Sequence, residues 1–270
     1  MSDIMVLGAG GLLGSHICAL YPKETIPVVR KECDITFPKQ VHNTLHKHKP
    51  KVVVNCAGIV KGRSSTNPDW MRRVNSYGPN VVADACDELG IKLIHVSSDC
   101  VFGDHADRPT EEDEPKAKDI YGQSKAAGEI TRSPHLTIRT AFIGWPDPSE
   151  RGLLSWLYYR QSPVEGYTHA FWNGLTTGRL AEWIMEHAHS SLEGLAHIFG
   201  QKYSKFQTIR MANHVYNWGK EIIPIEQPYI DRVLATVRLD TDLPTETLEE
   251  MLVDLQHNNK KITAYLEKLH

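Results

Sequence analysis

The chain has 270 residues, 41% apolar and 23% charged, which suits one large α/β unit with a smaller lobe and excludes a disordered chain. Its 33 acidic and 30 basic side chains leave a net charge of −3, so neither nucleic acid nor an anionic membrane is an expected partner. No apolar run approaches the ~20 residues that cross a bilayer, the start MSDIMVLGAGGLLG lacks signal-peptide features, and Cys18, Cys33, Cys56, Cys86 and Cys100 are odd in number with no C-x-x-C pair, so a cytoplasmic protein with reduced thiols is expected.

Ile4–Leu7 is a short apolar run, followed by glycines and the periodic Leu12, Leu13, Ile17 and Leu20. Residues 25–29 are β-branched, 41–48 read as helix and 51–55 as a third strand. The spacing over 68–89 predicts one long helix, stopped at Gly90. A fourth strand at 91–96, a helix at 121–130 and a strand from 135 to 138 follow. This alternation predicts an α/β fold: a Rossmann-type, doubly wound parallel sheet occupying residues 1–145.

Residues 146–270 lose that regularity. Pro146, Pro148, Gly152, Pro163 and Gly166 are interleaved with Trp156, Tyr158, Tyr159 and Phe171. A helix near 175–190 is expected to pack back on the first unit, with a strand at 195–199 after it. Leu248, Met251, Leu255, Ile262, Tyr265 and Leu269 recur at helical spacing over 244–269. That helix is compatible with a homodimer seam, and packing on its own lobe is its expected fate. The second half is thus mainly a smaller, irregular C-terminal substrate lobe. His42, His46, His48, His187 and His189 lie on polar predicted helices without clustered cysteines or paired carboxylates, so they read as solvated and no metal is expected.

Three local patterns carry chemistry. Gly8-Ala9-Gly10-Gly11-Leu12-Leu13-Gly14 joins the first strand to the first helix, where a pyrophosphate is met by backbone N–H groups and the positive end of the helix dipole. The pattern is G-x-x-G-x-x-G, and its setting points to a dinucleotide held by Gly8, Gly10, Gly11, Leu12, Leu13 and Gly14. The second strand ends Val28-Val29-Arg30-Lys31, with no carboxylate for a ribose 2′-OH. Two cations favour the 2′-phosphate of NADP, a solvated basic turn being the alternative. Tyr121 and Lys125 stand one helical turn apart, and Ser98 lies just past the fourth strand. A free phenol has a pKa of about 10, so a nearby ammonium and an oxidised nicotinamide would both have to favour the phenolate.

These pieces resemble the extended short-chain dehydrogenase/reductase family, on the motifs GAGGLLG, CDIT at 33–36, VVNCAG at 53–58, VNSYGPN at 74–80, SSDCVFGD at 97–104, YGQSK at 121–125, IRTAFIG at 138–144 and VRLDTDL at 237–243. Within it the likeness is to the branch of dTDP-4-dehydrorhamnose reductase-like sugar-nucleotide 4-ketoreductases. The resemblance implies that Tyr121 is the proton donor, that Lys125 lowers its pKa and holds the nicotinamide ribose, and that Ser98 polarises the substrate carbonyl. It also implies that Asp34 and Ile35 flank the adenine, that Cys56, Ala57 and Gly58 line the cofactor, and that Arg139 and Thr140 fall beside the nicotinamide. Asn75 matches the family's asparagine. Phe142 stands where some relatives carry a tryptophan that stacks on the substrate, and Ser98, Asp99 and Cys100 would face the sugar. Lys61 and Arg63 are candidates for the substrate diphosphate, with solvated surface charges as the alternative. The implied reaction is NADPH-dependent reduction of the C4 ketone of a nucleotide-linked 4-keto-6-deoxysugar.

Three other readings remain open: a non-catalytic NADP-binding regulatory subunit, an NAD-retaining epimerase or dehydratase, and an epimerase/reductase in which Cys100 acts as a base. Retained Ser98, Tyr121 and Lys125 count against the first, and Arg30-Lys31 against the second. The lack of a histidine acid in the segment from Gly144 to Leu153 counts against the third.

Overall fold

Apolar tetrapeptides alternate with amphipathic helices through the first 140 residues, and from them the chain builds a parallel sheet. A computed structural model describes residues 2–60, 67–147 and 152–269. In chain order the elements are β1 (Ile4–Leu7), α1 (Leu12–Leu20), β2 (Thr25–Val28), α2 (Pro38–His48), β3 (Val52–Asn55), α3 (Pro68–Arg72), α4 (Gly78–Leu89), β4 (Lys92–Val96) and α5 (Ile120–Ala126). They continue with β5 (Leu136–Arg139), β6 (Phe142–Ile143), α6 (Leu153–Tyr159), β7 (Val164–Tyr167), β8 (Ala170–Trp172), β9 (Leu175–Thr176) and α7 (Thr177–His187). The last are β10 (Gly194–His197), β11 (Tyr203–Ser204), α8 (Lys205–Val215), β12 (Ile222–Ile225), β13 (Ile230–Arg232) and α9 (Leu248–Leu269).

The main sheet has the order β10-β5-β4-β3-β1-β2, and its registered pairs are all parallel. Alternate residues bury on opposite faces, as a pleated strand requires. Val6, Val54 and Ile94 pack with Leu13, Ile17, Leu180 and Ile184, while Met5, Val53 and Leu93 pack with Val41, Leu45, Val82 and Cys86. Both faces are therefore covered, and the doubly wound expectation holds. Leu7 is in register with Asn55, and Asn55 with His95, so the carboxyl ends of β1, β3 and β4 share one edge. Ligands of such folds bind at that edge. Beyond the main sheet lie a three-stranded sheet, β11-β8-β13, and the pairs β12-β7 and β6-β9.

Four expectations need correction. The predicted helix over 68–89 is interrupted by a π turn at Arg73–Tyr77. Pro79 has no N–H to return to the Asn75 carbonyl, so the backbone widens there. The helix predicted to reach residue 130 ends at Ala126. The stripe of α9 (Leu248, Met251, Leu252, Leu255, Ile262) is buried against α1 and α7 as well as α8, so this helix spans both halves of the chain. His187 is not simply solvated: it stacks on Trp183 with ring centroids 4.2 Å apart. α7 lies against α1, and β10 completes the sheet beside β5. Among the described residues no helix is long and apolar enough to cross a membrane.

Candidate active site

The glycine loop leaves the carboxyl end of β1 and turns directly into α1. Gly8 has φ +80°, and a Cβ there would come within 2.7 Å of the Ala57 amide nitrogen. Only glycine lets this loop lie against the end of β3. The N–H groups of Gly8 and Ala9 donate to the Val28 carbonyl, and that of Gly11 to Gly8 O at 2.9 Å. Gly11 caps α1 with no side-chain hydrogen bond. The first N–H groups of the helix, from Leu12, Leu13 and Gly14, have no partner within the helix, and such a helix start suits an anion. Leu12 is half-buried at the mouth, whereas the Leu13 side chain is buried in the core, so its N–H is the part available to a ligand. Gly10 and Gly11 are exposed. These features fit a dinucleotide pyrophosphate.

At the end of β2 the Arg30 guanidinium lies over the Trp70 ring at 5.0 Å and donates from Nε to Asp34 Oδ2 at 3.2 Å. Lys31 is exposed beside it. Sequence reasoning missed Glu32, whose carboxylate accepts from the Val29 N–H at 3.0 Å, so an acidic group does stand on this turn. Asp34 also accepts from the Thr36 N–H and hydroxyl, which holds its carboxyl below the usual range despite partial burial. The Ile35 side chain is buried against Gly78.

On the other side of the loop, Cys56 and Ala57 are half-buried and Gly58 is exposed. Ala57 N–H donates to Asn55 Oδ1, and Asn55 Nδ2 lies 3.2 Å from His95 Nδ1. Asn75 sits in the π turn. Its amide exchanges hydrogen bonds with the Ile59 backbone and donates to Ser124 Oγ at 3.2 Å, tying the loop after β3 to α5. Lys61 and Arg63 fall outside the described residues.

Ser98, Tyr121 and Lys125 converge at the same edge. Asp119 caps α5 by accepting from the N–H groups of Tyr121 and Gly122, each at 3.1 Å. A Cβ on Gly122 would overlap Cys100 O and Ala117 Cβ, so glycine is what allows α5 to lie on the turn that follows β4. That closeness brings the half-buried Tyr121 hydroxyl within hydrogen-bonding reach of Ser98. Burial holds the phenol well above its ordinary pKa; Cys100 and Asp99 add to this, and Ser98 and Arg232 oppose it. Lys125 is buried, donates from Nζ to Val96 O at 2.8 Å, and is lowered to about 8 by that burial against the pull of Glu129 and Cys56. Ser98 Oγ accepts from the Cys100 N–H at 3.1 Å and donates to Asp99 Oδ1 at 3.0 Å. Its single proton must leave Asp99 before it can serve another oxygen.

The Arg139 side chain is buried in a two-point ion pair with Glu129, at 2.9 and 2.8 Å, and lies over the Phe102 ring. Thr140 is buried, and its carbonyl accepts from the Asp99 N–H. Phe142 is half-buried on β6. Burial pushes the Cys100 thiol up to about 12, with Asp99 adding and Arg232 opposing. Arg232 is a residue that sequence reasoning missed. It reaches from β13 to Asp104 and Cys100, 128 and 132 residues away, so no local pattern could reveal it. Among the described residues no group of three or more His, Cys, Asp or Glu could hold a metal ion.

Residues 1–144 match the model of the family described as "RmlD substrate binding domain". The curated relatives include the dTDP-4-dehydrorhamnose reductase of Streptomyces griseus, 33% identical over 149 residues that cover 52% of this chain and 49% of the relative. The dTDP-4-dehydrorhamnose reductase of Mycobacterium tuberculosis is 38% identical over 154 residues, covering 52% and 50%. The chain spans about half the length of the curated relatives it matches. Among solved structures, the dTDP-4-dehydrorhamnose reductase of Bacillus anthracis in complex with NADP superposes with a TM-score of 0.82 at 22% identity, covering 95% of this chain and 99% of that one.

Proposed function

We propose that this chain, which belongs to the RmlD substrate binding domain family, is an NADPH-dependent oxidoreductase that reduces the C4 ketone of a nucleotide-linked 4-keto-6-deoxysugar. The observation that carries this reading is the convergence of the Ser98 and Tyr121 hydroxyls with the buried Lys125 beside the glycine loop. The reading assigns the cofactor to residues 1–145 and most substrate contacts to 146–270, in a cytoplasmic setting. Bound NADPH would supply the hydride for the carbonyl carbon. The chain's own residues handle the oxygen. Ser98, turned from Asp99, donates a hydrogen bond to the carbonyl oxygen, and Tyr121 gives it a proton as negative charge develops there. Lys125 holds the nicotinamide ribose and, with the oxidised ring, favours the phenolate left behind. Arg30 and Lys31 meet the 2′-phosphate. Cys100 takes no proton from the sugar on this reading, because burial disfavours its thiolate and the segment from Gly144 to Leu153 holds no histidine to act as the partner acid. The enzyme therefore reduces without epimerising.

The test is NADPH oxidation with dTDP-, UDP-, GDP- and CDP-linked 4-keto-6-deoxysugars, the products identified by NMR. Tyr121→Phe keeps the ring and should bind NADPH normally while kcat falls by roughly 10²–10⁴. A variant that kept more than about half of the wild-type kcat would sink the assignment.

A further inference from the structure

Arg232 stands at the end of β13, in the half of the chain beyond the matched residues 1–144. Its Nε and Nη2 both donate to Asp104 Oδ1, with Nε at 3.0 Å, and its Nη1 lies 3.5 Å from Cys100 Sγ. The strand end is strapped to the same loop through its backbone: Asp231 N–H donates to Asp104 O at 2.8 Å, and Ala106 N–H to Asp231 O at 2.9 Å. Leu234 continues the contact by packing on Val101 and Phe102. The arginine side chain is 25% exposed, so its charge is partly withdrawn from water and acts at short range.

We propose that Arg232 is a positioning residue of the reductase site: clamped by Asp104, it holds the Ser98–Cys100 turn against the catalytic helix and supplies a fixed positive charge to Tyr121 and Cys100. The assignment of Tyr121 as proton donor rests on the function proposed above; the placement of Arg232 against Cys100 does not. The groups that face the phenol are Ser98, Asp99 and Cys100 from the turn and Arg232 from β13, with Asp104 behind the arginine. The Lys125 ammonium is committed to Val96 O and, on this reading, to the cofactor ribose. Two carboxyls, Asp99 and Asp104, flank the turn, and Arg232 offsets them where the proton is transferred.

Alkylation of Cys100 by iodoacetamide, resolved by peptide mapping between pH 7 and 9, tests this without substrate. Rates follow the thiolate fraction, so Arg232→Gln should slow alkylation about ten-fold, equivalent to one pKa unit. Arg232→Lys should stay near wild type, and Asp104→Asn should quicken the reaction. Simple loosening of the turn would expose the thiol and quicken it in every variant, so opposite signs identify the charge. In turnover, Arg232→Gln should lower kcat more than it alters KM and move the alkaline limb of the reduction profile to higher pH, because loss of a cation raises the phenol's pKa. An Arg232→Gln variant that alkylates at the wild-type rate or faster, or that leaves the limb in place while turning over, overturns the proposal. If no keto-sugar nucleotide is reduced by wild type, the proposed function fails, and the alkylation signs still decide the place of Arg232.

Discussion

Lys125 carries a cost that no surface lysine bears, because its ammonium is held in a buried site. Burial takes it from 10.5 in the open chain to about 8 in the fold. Between those pH values the unfolded chain binds the extra proton, so stability should rise with pH through that window. At neutral pH the depressed pKa costs roughly 3 kcal/mol, at about 1.4 kcal/mol per unit. Losing the hydrogen bond to Val96 O would return about 1 kcal/mol of that. Lys125→Met should therefore be inactive yet more stable by about 2 kcal/mol at pH 7, with little advantage near pH 10. Urea unfolding at the two pH values measures this, and a lower midpoint for the variant at pH 7 would refute it. Arg30 poses the complementary question, since it is exposed but braced by Trp70 and Asp34. Replacing Arg30 and Lys31 together by alanine should weaken NADPH at least ten-fold and NADH little, each charge-assisted bond being worth roughly 1.5–3 kcal/mol. Fluorescence titration reads both affinities. Equal losses, or equal affinities in wild type, would remove the preference for NADP and turn attention to the Glu32 carboxylate on the same turn.

At the scale of elements, the geometry of Ser98, Tyr121 and Lys125 depends on how closely α5 approaches the turn after β4. Gly122 stands between Tyr121 and Lys125, and an added methyl would overlap the Cys100 carbonyl. Gly122→Ala should push the helix outward, lowering kcat at least ten-fold while the circular dichroism of the sheet and helices persists. Wild-type turnover in that variant would show that the helix has slack. The helices and strands of the first half were legible because β1 and β3 are apolar on both faces and the helices on one, which gives distinct patterns. The boundaries were less so. The π turn at Arg73–Tyr77 follows from Pro79 withholding an N–H, a local effect that apolar periodicity does not register. Just past the end of α5, Gly128 lies against the Asn75 carbonyl, a close approach that only the fold reveals. Ser98, Tyr121 and Lys125 could be found because each sits at a strand end or on a helical repeat. Arg232 could not, since its partners are joined to it only by folding.

On the scale of the whole molecule, α9 connects the end of the chain to its beginning. Its apolar repeat was plain in the sequence, but periodicity does not say which surface receives the stripe. In the fold α9 lies across α1, and the Tyr265 hydroxyl donates to Ala9 O at 3.4 Å, within the glycine loop. The Leu269 side chain comes close to Gly10. The C-terminal helix is therefore a wall of the glycine loop as well as part of the second lobe, and on the proposed function stability and cofactor binding should be coupled through it. Leu255, buried between α9 and the neighbouring helices, is the side chain to test. Leu255→Ala should cost about 2–5 kcal/mol through the lost contacts and the cavity left behind. If the helix also sets the loop, the same variant should bind NADPH several-fold more weakly. Ligand at about 100 times the dissociation constant stabilises the folded state by ~2.7 kcal/mol, so saturating NADPH should restore much of the lost thermal stability. Tyr265→Phe separates the two effects: it removes one weak hydrogen bond at the loop, worth about 0.5–1.5 kcal/mol, and keeps the packing. Thermal unfolding with and without NADPH, together with the two dissociation constants, measures the coupling. Unchanged NADPH affinity in both variants would mean that α9 supports the fold without shaping the cofactor loop.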